Sequence, residues 1–463
     1  MSRNLSESLA SMPATLAQSV KELCTQLESS EQFKSEPLPD EVVDVLPRVF
    51  ACSEVVARSI ARQPDILREL INSGDLFNDY EEPDYAKKLT GQLSSLSAPD
   101  DLHRCLRQFR QTEWLRIVWR DIAGWAELEQ TTRELSWLAE ACVDGALSTL
   151  YKSACEEWGT PCNEEGEPQQ MVVIGMGKLG AWELNVSSDI DLIFSYPEPG
   201  ETQGASKTLS NSEFFLKLGQ RLIQSLDNTT ADGFVFRVDM RLRPFGEGGA
   251  LVMSFDAMEN YYQVHGREWE RYAMIKARVI AGDREAGQEL MAMLKPFVYR
   301  RYIDFGAYES LREMKEIVNR EVKRKGIEQN IKLGPGGIRE VEFIGQVFQL
   351  IRGGRETDLQ ERSILKILAI LKQRDILPGY VVDELTNAYR FLRNVEHRIQ
   401  EFAEQQSHKL PNDELGQLRI AYGMGFDDWD SFHTVLLEHR ARVQSHFEQV
   451  FEAPQTDHAE HDE

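Results

Sequence analysis

The sequence predicts an α+β protein, predominantly helical, with a central α/β segment held between two helical ones. Apolar residues recur at helical spacing from about Leu38 to Glu129, strand-like runs begin only after Trp158, and helical spacing returns past Gly282. At 463 residues the chain is too long for one ordinary core, so two or three domains are expected.

Residues 1–129 read as a helical N-terminal arm. Its pattern is clearest in EVVDVLPRVFACSEVVARSIARQPDILRELI, where Pro and Gly mark the breaks. A further amphipathic helix, residues 134–158, ends at the Gly159-Thr160-Pro161 turn, and residues 130–290 form the central α/β unit. The segments SLREMKEIVNREVKRKG, IREVEFIGQVFQLIRGG and LTNAYRFLRNVEHRIQEFAEQQ place a helical C-terminal domain over 291–450. Residues 451–463 are acidic and polar, as expected of a disordered tail or a linker cut short. No internal repeat is visible.

Asp and Glu number 76 against 52 Lys and Arg, a formal net charge of -24. Proteins that grip a nucleic-acid backbone carry a basic face, so a protein or a small nucleotide is the expected partner rather than DNA or RNA. The six cysteines (Cys24, Cys52, Cys105, Cys142, Cys155, Cys162) show neither a C-x-x-C pair nor zinc-finger histidines. They read as reduced, mostly buried thiols of a cytosolic protein. The opening residues hold no uninterrupted apolar run, so neither a signal peptide nor a membrane span is expected, and the expected location is cytoplasmic.

The stretch VVIGMGKLGAWELNVSSDIDLIF, residues 172–194, holds two phosphate signatures. Gly175, Gly177 and Gly180 spell the G-x-G-x-x-G of a dinucleotide fold, after an apolar run that reads as a buried strand. Only Ala181 to Ser187 precede the next strand, too few for a crossover helix, and a ribose-binding acid would stand ~20 residues on. The glycines can still cradle phosphate through free backbone N–H groups, with Lys178 adding charge; a plain strand-to-helix turn is the alternative.

In SSDIDLIF, strand alternation puts Asp189 and Asp191 on one face and sends Ile190, Leu192 and Phe194 to the core. Two neighbouring carboxylates repel unless a cation lies between them, and magnesium with its oxygen ligands is the natural one. A second strand is expected in FVFRVDMRLRPFG. Phe234, Phe236, Val238, Met240 and Leu242 form its apolar face, and Val235, Arg237, Asp239, Arg241 and Arg243 the other. Asp239 would complete a three-carboxylate cage, whereas an ordinary half-exposed strand with paired Arg and Asp is the competing view.

Two more stretches are candidates to bring charge to the cleft: GREWERYAMIKARVIAGD, with Arg267, Arg271, Lys276 and Arg278, and IKLGPGGIREVEF, with a rigid turn opening a helix that carries Glu340 and Glu342. Solvated helix faces would look the same. His397 and His408 show no evident partners and read as structural.

The glycine turn, the Asp189-x-Asp191 pair and a third Asp on a later strand resemble the DNA polymerase beta nucleotidyltransferase superfamily. More closely, GMGKLGAWELNVSSDIDLIF, RVDMRLRPFGEGG, WERYAMIKAR, KLGPGGIREVEF and FLRNVEHRIQ resemble the glutamine synthetase adenylyltransferase family, most strongly from about residue 130 to residue 410. That resemblance implies a polymerase beta-like catalytic domain with a mixed sheet. It implies metal-binding and catalytic roles for Asp189, Asp191 and Asp239, with magnesium, two ions, as cofactor. It also implies phosphate contacts from Gly175, Gly177, Lys178, Gly180 and Ser188; Arg241 and Arg243 as phosphate clamps follow from the strand face.

The family's full-length proteins carry two such units, and this chain has one. It resembles the N-terminal, adenylyl-removing half. The implied reaction is phosphorolysis of adenylyl-tyrosine on glutamine synthetase, giving ADP. The implied partners are glutamine synthetase, the signal protein PII in its uridylylated form, phosphate and ADP or ATP, with glutamine as an effector. Forward adenylyl transfer from ATP uses the same motif, and a regulatory nucleotide-sensing, PII-docking module is the reading from another class.

Overall fold

The computed structural model describes residues 3–31, 33, 36–95, 101–300 and 329–452. The N-terminal arm contains α1 (Arg3–Ala10), α2 (Ala14–Glu28), α3 (Asp40–Cys52), α4 (Glu54–Arg62), α5 (Pro64–Asn72), α6 (Glu82–Leu93) and α7 (Asp101–Ala123). Local chemistry sets several of these boundaries. Ser53 ends α3 and caps α4, accepting from Val56 N at 3.2 Å. α8 (Leu128–Trp158) begins a turn and a half earlier than its periodicity suggested and stops at Gly159, whose φ of 84° suits glycine.

Strands begin after α8. β1 (Thr160–Cys162) pairs antiparallel with β4 (Glu201–Gln203) as a small ribbon. The main sheet holds β2 (Val172–Gly175), β3 (Ile190–Tyr196), β5 (Val238–Asp239), β6 (Val252–Ser254) and β7 (Arg278–Gly282). Its order is β5-β3-β2-β7. β2 runs antiparallel to both neighbours, while β5 and β6 lie parallel to β3 on successive stretches of its other edge. The sheet is mixed, as expected.

Both faces of this sheet are buried, in two apolar cores. Val173, Ile190, Leu192, Phe194 and Ile280 join the core shared with the arm, α8 and α10 (Asn211–Asp227), α9 being the short turn described below. Val172, Ile174 and Ile193 join the core shared with α11 (Phe255–Val264), α12 (Glu268–Met274), α13 (Arg284–Val298) and the C-terminal helices. The sheet thus seats the arm on one side and the C-terminal helices on the other. Those helices are α14 (Ile338–Arg352), α15 (Ile364–Gln373), α16 (Gly379–Glu401), α17 (Glu414–Gly423) and α18 (Trp429–Glu452). The expected helix in SLREMKEIVNREVKRKG and nearly all of the acidic tail lie outside the described residues.

Two expectations need correction. The long amphipathic strand over FVFRVDMRLRPFG pairs only at Val238 and Asp239. Val235 and Phe236 are both buried, which breaks the alternation. Past Asp239 the chain curls, with Gly246 N donating to Arg243 O at 2.8 Å and Phe245 at φ 62°. Pro244 has no N–H to give a ladder, so the strand has no continuation there.

The basic residues of GREWERYAMIKARVIAGD, expected at the cleft, mostly point inward. Arg271 donates to the carbonyls of Val298 and Leu350, at 2.8 and 3.1 Å. Arg278 pairs with Glu140 and donates to Gly180 O at 3.0 Å, its guanidinium 3.8 Å from the Trp182 ring centroid. Lys276 lies between Glu183 Oε2 at 2.9 Å and Glu342 Oε1 at 2.7 Å, all three buried or nearly so. His397 and His408 are structural but do have partners: Asp121 at 3.3 Å and Glu396 at 2.8 Å.

Removing one partner from such a buried cluster strands the remaining charge. Lys276→Met is expected to cost about 3–5 kcal/mol in urea unfolding, because Glu183 and Glu342 lose their shared counter-charge. A variant as stable as the parent would show that other groups satisfy those carboxylates.

Candidate functional site

The carboxylates meet at the open end of β3. Asp189 stands just before the strand and Asp191 is its second residue; the parallel register sets Asp191 opposite Asp239. Pairing of only two residues is enough to bring in Asp239, and Ile190 N fixes the approach by donating to Arg237 O at 2.8 Å. Ile190 and Leu192 are fully buried, so the alternation that anchors the strand also aims the acids outward from the core.

The three acids are not equivalent. Asp189 accepts from Arg237 Nε at 2.8 Å, and Arg237 Nη2 also reaches Ser187 Oγ at 3.0 Å. Asp239 accepts from the backbone N–H and from Nε of Arg241, both at 2.8 Å, and Arg241 holds its carboxyl below the usual range. The Asp191 carboxylate has no hydrogen-bond donor among the described residues. Burial first, then the charges of Asp239 and Asp189, push its pKa up to about 6, with Lys332 acting the other way. A half-buried acid with two acidic neighbours, and no donor among the described residues, favours either a proton or a nearby cation.

The glycine turn is a single helical turn, α9 (Gly177–Gly180). Gly177 and Gly180 in this turn, and Gly175 at the end of β2, do different work. Gly177 has φ 53°, and a Cβ there would stand 3.0 Å from Asp191 Oδ2. A Cβ on Gly180 would meet Lys276 O at 1.9 Å, so that glycine permits a close backbone crossing. Gly175 packs on Ile280. Met176 N donates to Asp191 O at 2.9 Å and locks the turn to the strand. Of the glycines expected at phosphate, Gly177 alone lies beside a carboxylate, while Gly175 and Gly180 are buried.

Lys178, expected as a phosphate contact, is turned to the C-terminal helices. Its Nζ donates to both oxygens of Glu396, at 3.2 and 3.0 Å. Burial opposes the charge on Glu396, and Lys178, His408 and Arg393 overcome it, holding the carboxyl well below its usual range. Ser188 sits half-buried next to Asp189. Arg241 is largely exposed beside Asp239. Arg243, expected as a second clamp, instead donates to the carbonyls of Met240, Glu247 and Gly249 and holds its own turn together.

Sequence reasoning missed two groups. Arg237 was legible on the polar side of the expected strand yet was not assigned to Asp189. Lys332 lies in the quoted KLGPGG turn, where only the glutamates stood out as charges. Neither contact is a sequence neighbour, so no spacing announces it.

Oxygen donors from Asp189, Asp191 and Asp239 suit magnesium, and the donorless Asp191 is the observation that favours a cation. Among the described residues, the one trio whose ligand atoms all fall within 4.8 Å of one another is Asp121, His397 and Glu401. Arg398 already donates to both of those acids, so a guanidinium supplies the positive charge there. The β3 trio stands wider, with Asp189 and Asp239 each turned to an arginine.

Because Asp191 titrates higher folded than unfolded, its ionisation costs stability. The cost is absent below its unfolded pKa, grows as pH rises toward about 6, and is complete above that. In chelator at pH 7.5, Asp191→Asn is therefore expected to be more stable than the parent, by about 1–3 kcal/mol. The gain should fade as pH falls toward 4. A variant less stable than the parent throughout would mean that Asp191 makes a structural contact.

Comparison with known proteins identifies the family. Residues 43–293, more than half the chain, match the family model for glutamate-ammonia ligase adenylyltransferase. Residues 312–451 match the model for GlnD PII-uridylyltransferase. A protein of Nitrosococcus oceani named bifunctional glutamine synthetase adenylyltransferase/adenylyl-removing enzyme is 60% identical over 410 residues, which is 88% of this chain and 42% of the relative. The protein of the same name from Pseudomonas aeruginosa is 52% identical over 458 residues, 97% of this chain and 47% of the relative. The chain thus spans less than half the length of these relatives. With the glycine turn, the three acids and the mixed sheet in place, the chain belongs to the glutamate-ammonia ligase adenylyltransferase family.

Proposed function

We propose that this chain is a nucleotidyltransferase that removes AMP from an adenylylated tyrosine of glutamine synthetase by phosphorolysis. The observation that carries the reading is the carboxylate trio on β3 and β5, with a donorless Asp191 beside the glycine turn. The direction of the reaction rests on family resemblance and on the arginines around the trio. Relatives' names carry both an adenylyltransferase and an adenylyl-removing activity, so forward transfer from ATP is the second reading.

An oxygen of inorganic phosphate attacks the AMP phosphorus, the bond from phosphorus to the tyrosine oxygen breaks, and the products are ADP and tyrosine. Magnesium, when bound by Asp189, Asp191 and Asp239, would neutralise charge on the reacting oxygens. Arg241 stands exposed beside Asp239, where it can take an incoming anion and lessen repulsion between two phosphates. Ser188 and the N–H of Gly177 would orient phosphoryl oxygens at the turn. Tyrosinate, with a pKa of ~10, leaves without a dedicated acid and takes its proton from solvent. No protein nucleophile is needed.

The C-terminal helices are the proposed docking region for the signal protein PII, a reading that the match of residues 312–451 to a GlnD PII-uridylyltransferase model supports; the uridylylated form rests on the family resemblance alone. Glutamine is the proposed effector. A cytoplasmic location fits such partners; among the described residues no helix is long and apolar enough to cross a membrane.

Adenylylated glutamine synthetase, incubated with the chain, magnesium and inorganic phosphate, should release ADP, and omitting phosphate should stop the reaction. AMP released at a rate indifferent to phosphate would make the chain a hydrolase. Adenylylation of unmodified glutamine synthetase from ATP would establish the forward reading instead. Asp191→Asn should lower turnover by at least about a hundredfold while far-UV circular dichroism stays unchanged, since its loss removes a ligand but no apolar anchor. Near-parental turnover in that variant would remove the trio from the chemistry.

A further inference from the structure

The KLGPGG turn is built to present one side chain. Asn330 Oδ1 accepts from the backbone N–H groups of Lys332 and Leu333, at 2.9 and 2.8 Å. Lys332 O accepts from Arg339 N at 3.1 Å, and Ile331 O from Ile338 N at the same distance, which folds the turn back onto the start of α14. A Cβ on Gly337 would stand 2.7 to 2.8 Å from the carbonyls of Ile331, Gly334 and Lys332, so the winding admits only glycine there. Ile331 N donates to His408 O at 3.0 Å, and His408 pairs with Glu396, the partner of Lys178 in the glycine turn.

A continuous set of contacts therefore runs from the KLGPGG turn to the residue next to Gly177, against which Asp191 packs. At the near end of that set Lys332 is half-buried, and its ammonium has no hydrogen bond or ion pair among the described residues. Its charge is felt by Asp191, by Glu396 and by Lys178. Arg237, Arg241, Arg243 and Lys178 are each already engaged by an acid or a carbonyl. A half-buried lysine left unpaired, its charge felt by a carboxylate site, is a poor structural device and a good hydrogen-bond donor to an anion.

We infer that Lys332 is a substrate-binding residue of this centre, its ammonium offered by the C-terminal part of the chain to a phosphoryl oxygen of the nucleotide held at the carboxylate trio. The inference rests on the nucleotidyltransferase reading above and deepens it. It makes the centre composite: β3 and β5 supply the acids, and the turn before α14 supplies a cation.

The test is binding of ADP with magnesium to the full chain by calorimetry, comparing the parent with Lys332→Met and Lys332→Arg. The methionine variant should bind about tenfold or more weakly with thermal melting unchanged, and arginine, which keeps the charge, should restore most of the affinity. A methionine variant that binds ADP as the parent does would overturn the assignment to Lys332 and leave the trio's reading standing. Weakened binding with a lowered melting temperature and no rescue by arginine would make Lys332 structural, and would also overturn it. A parent that binds no ADP with magnesium would overturn the nucleotidyltransferase reading, and this inference with it.

Discussion

Glu183 is the buried carboxylate on which the geometry of this centre depends. It lies between the glycine turn and β3, and four groups hold it: Lys276 Nζ at 2.9 Å and Ile364 N at 2.9 Å on its carboxylate, Arg393 Nη2 at 2.7 Å on its carbonyl, and its own N–H on Lys178 O at 2.8 Å. Those partners come from the loop before β7, the start of α15, α16 and the glycine turn. A charge so deep is tolerated only with its donors in place, so the loop that carries Asp189 cannot move independently of the C-terminal helices. A second tie, Lys178 to Glu396, fastens the same turn to α16.

Around that fixed loop, charge is distributed by pairing rather than by net balance. The chain carries a formal charge of -24, yet arginines accompany two of the three candidate acids: Arg237 on Asp189 and Arg241 on Asp239. Asp191 is left without such a partner, which concentrates the demand for a cation on one oxygen site. Lys332, in the turn before α14, contributes a positive charge that Asp191 feels. Acids from β3 and β5, together with a lysine that is unpaired among the described residues, suit a ligand that is itself a phosphate bound through metal.

Much of this was legible in the chain. The alternation in SSDIDLIF placed Asp189 and Asp191 together and sent Ile190, Leu192 and Phe194 inward, because a strand's side chains alternate and the core claims one set. The shortness of the segment from Ala181 to Ser187 ruled out a crossover helix, and α9 is indeed one turn. Other readings failed for a common reason. FVFRVDMRLRPFG alternates like a strand, but only two of its residues find a neighbouring edge, and a pattern without an edge is not a strand. Lys276 and Arg278 resemble solvated or cleft-facing cations, but each meets a carboxylate distant in sequence, Glu342 or Glu140.

The sequence by itself determined the periodicities, and with them the helical arm, the buried strands, the pair of acids on one face and the family to which the chain belongs. Local rules suffice for these, since alternation, helical spacing and glycine's tolerance of positive φ depend on neighbouring residues alone. Only the tertiary structure decided which of the lysines near the acids are spent on structure and which is left unpaired among the described residues. Lys178, Lys276 and Lys332 are the same residue in a sequence. What separates them is whether an acid lies within reach once the helices have packed, and that distance depends on contacts between residues 66 to 218 positions apart.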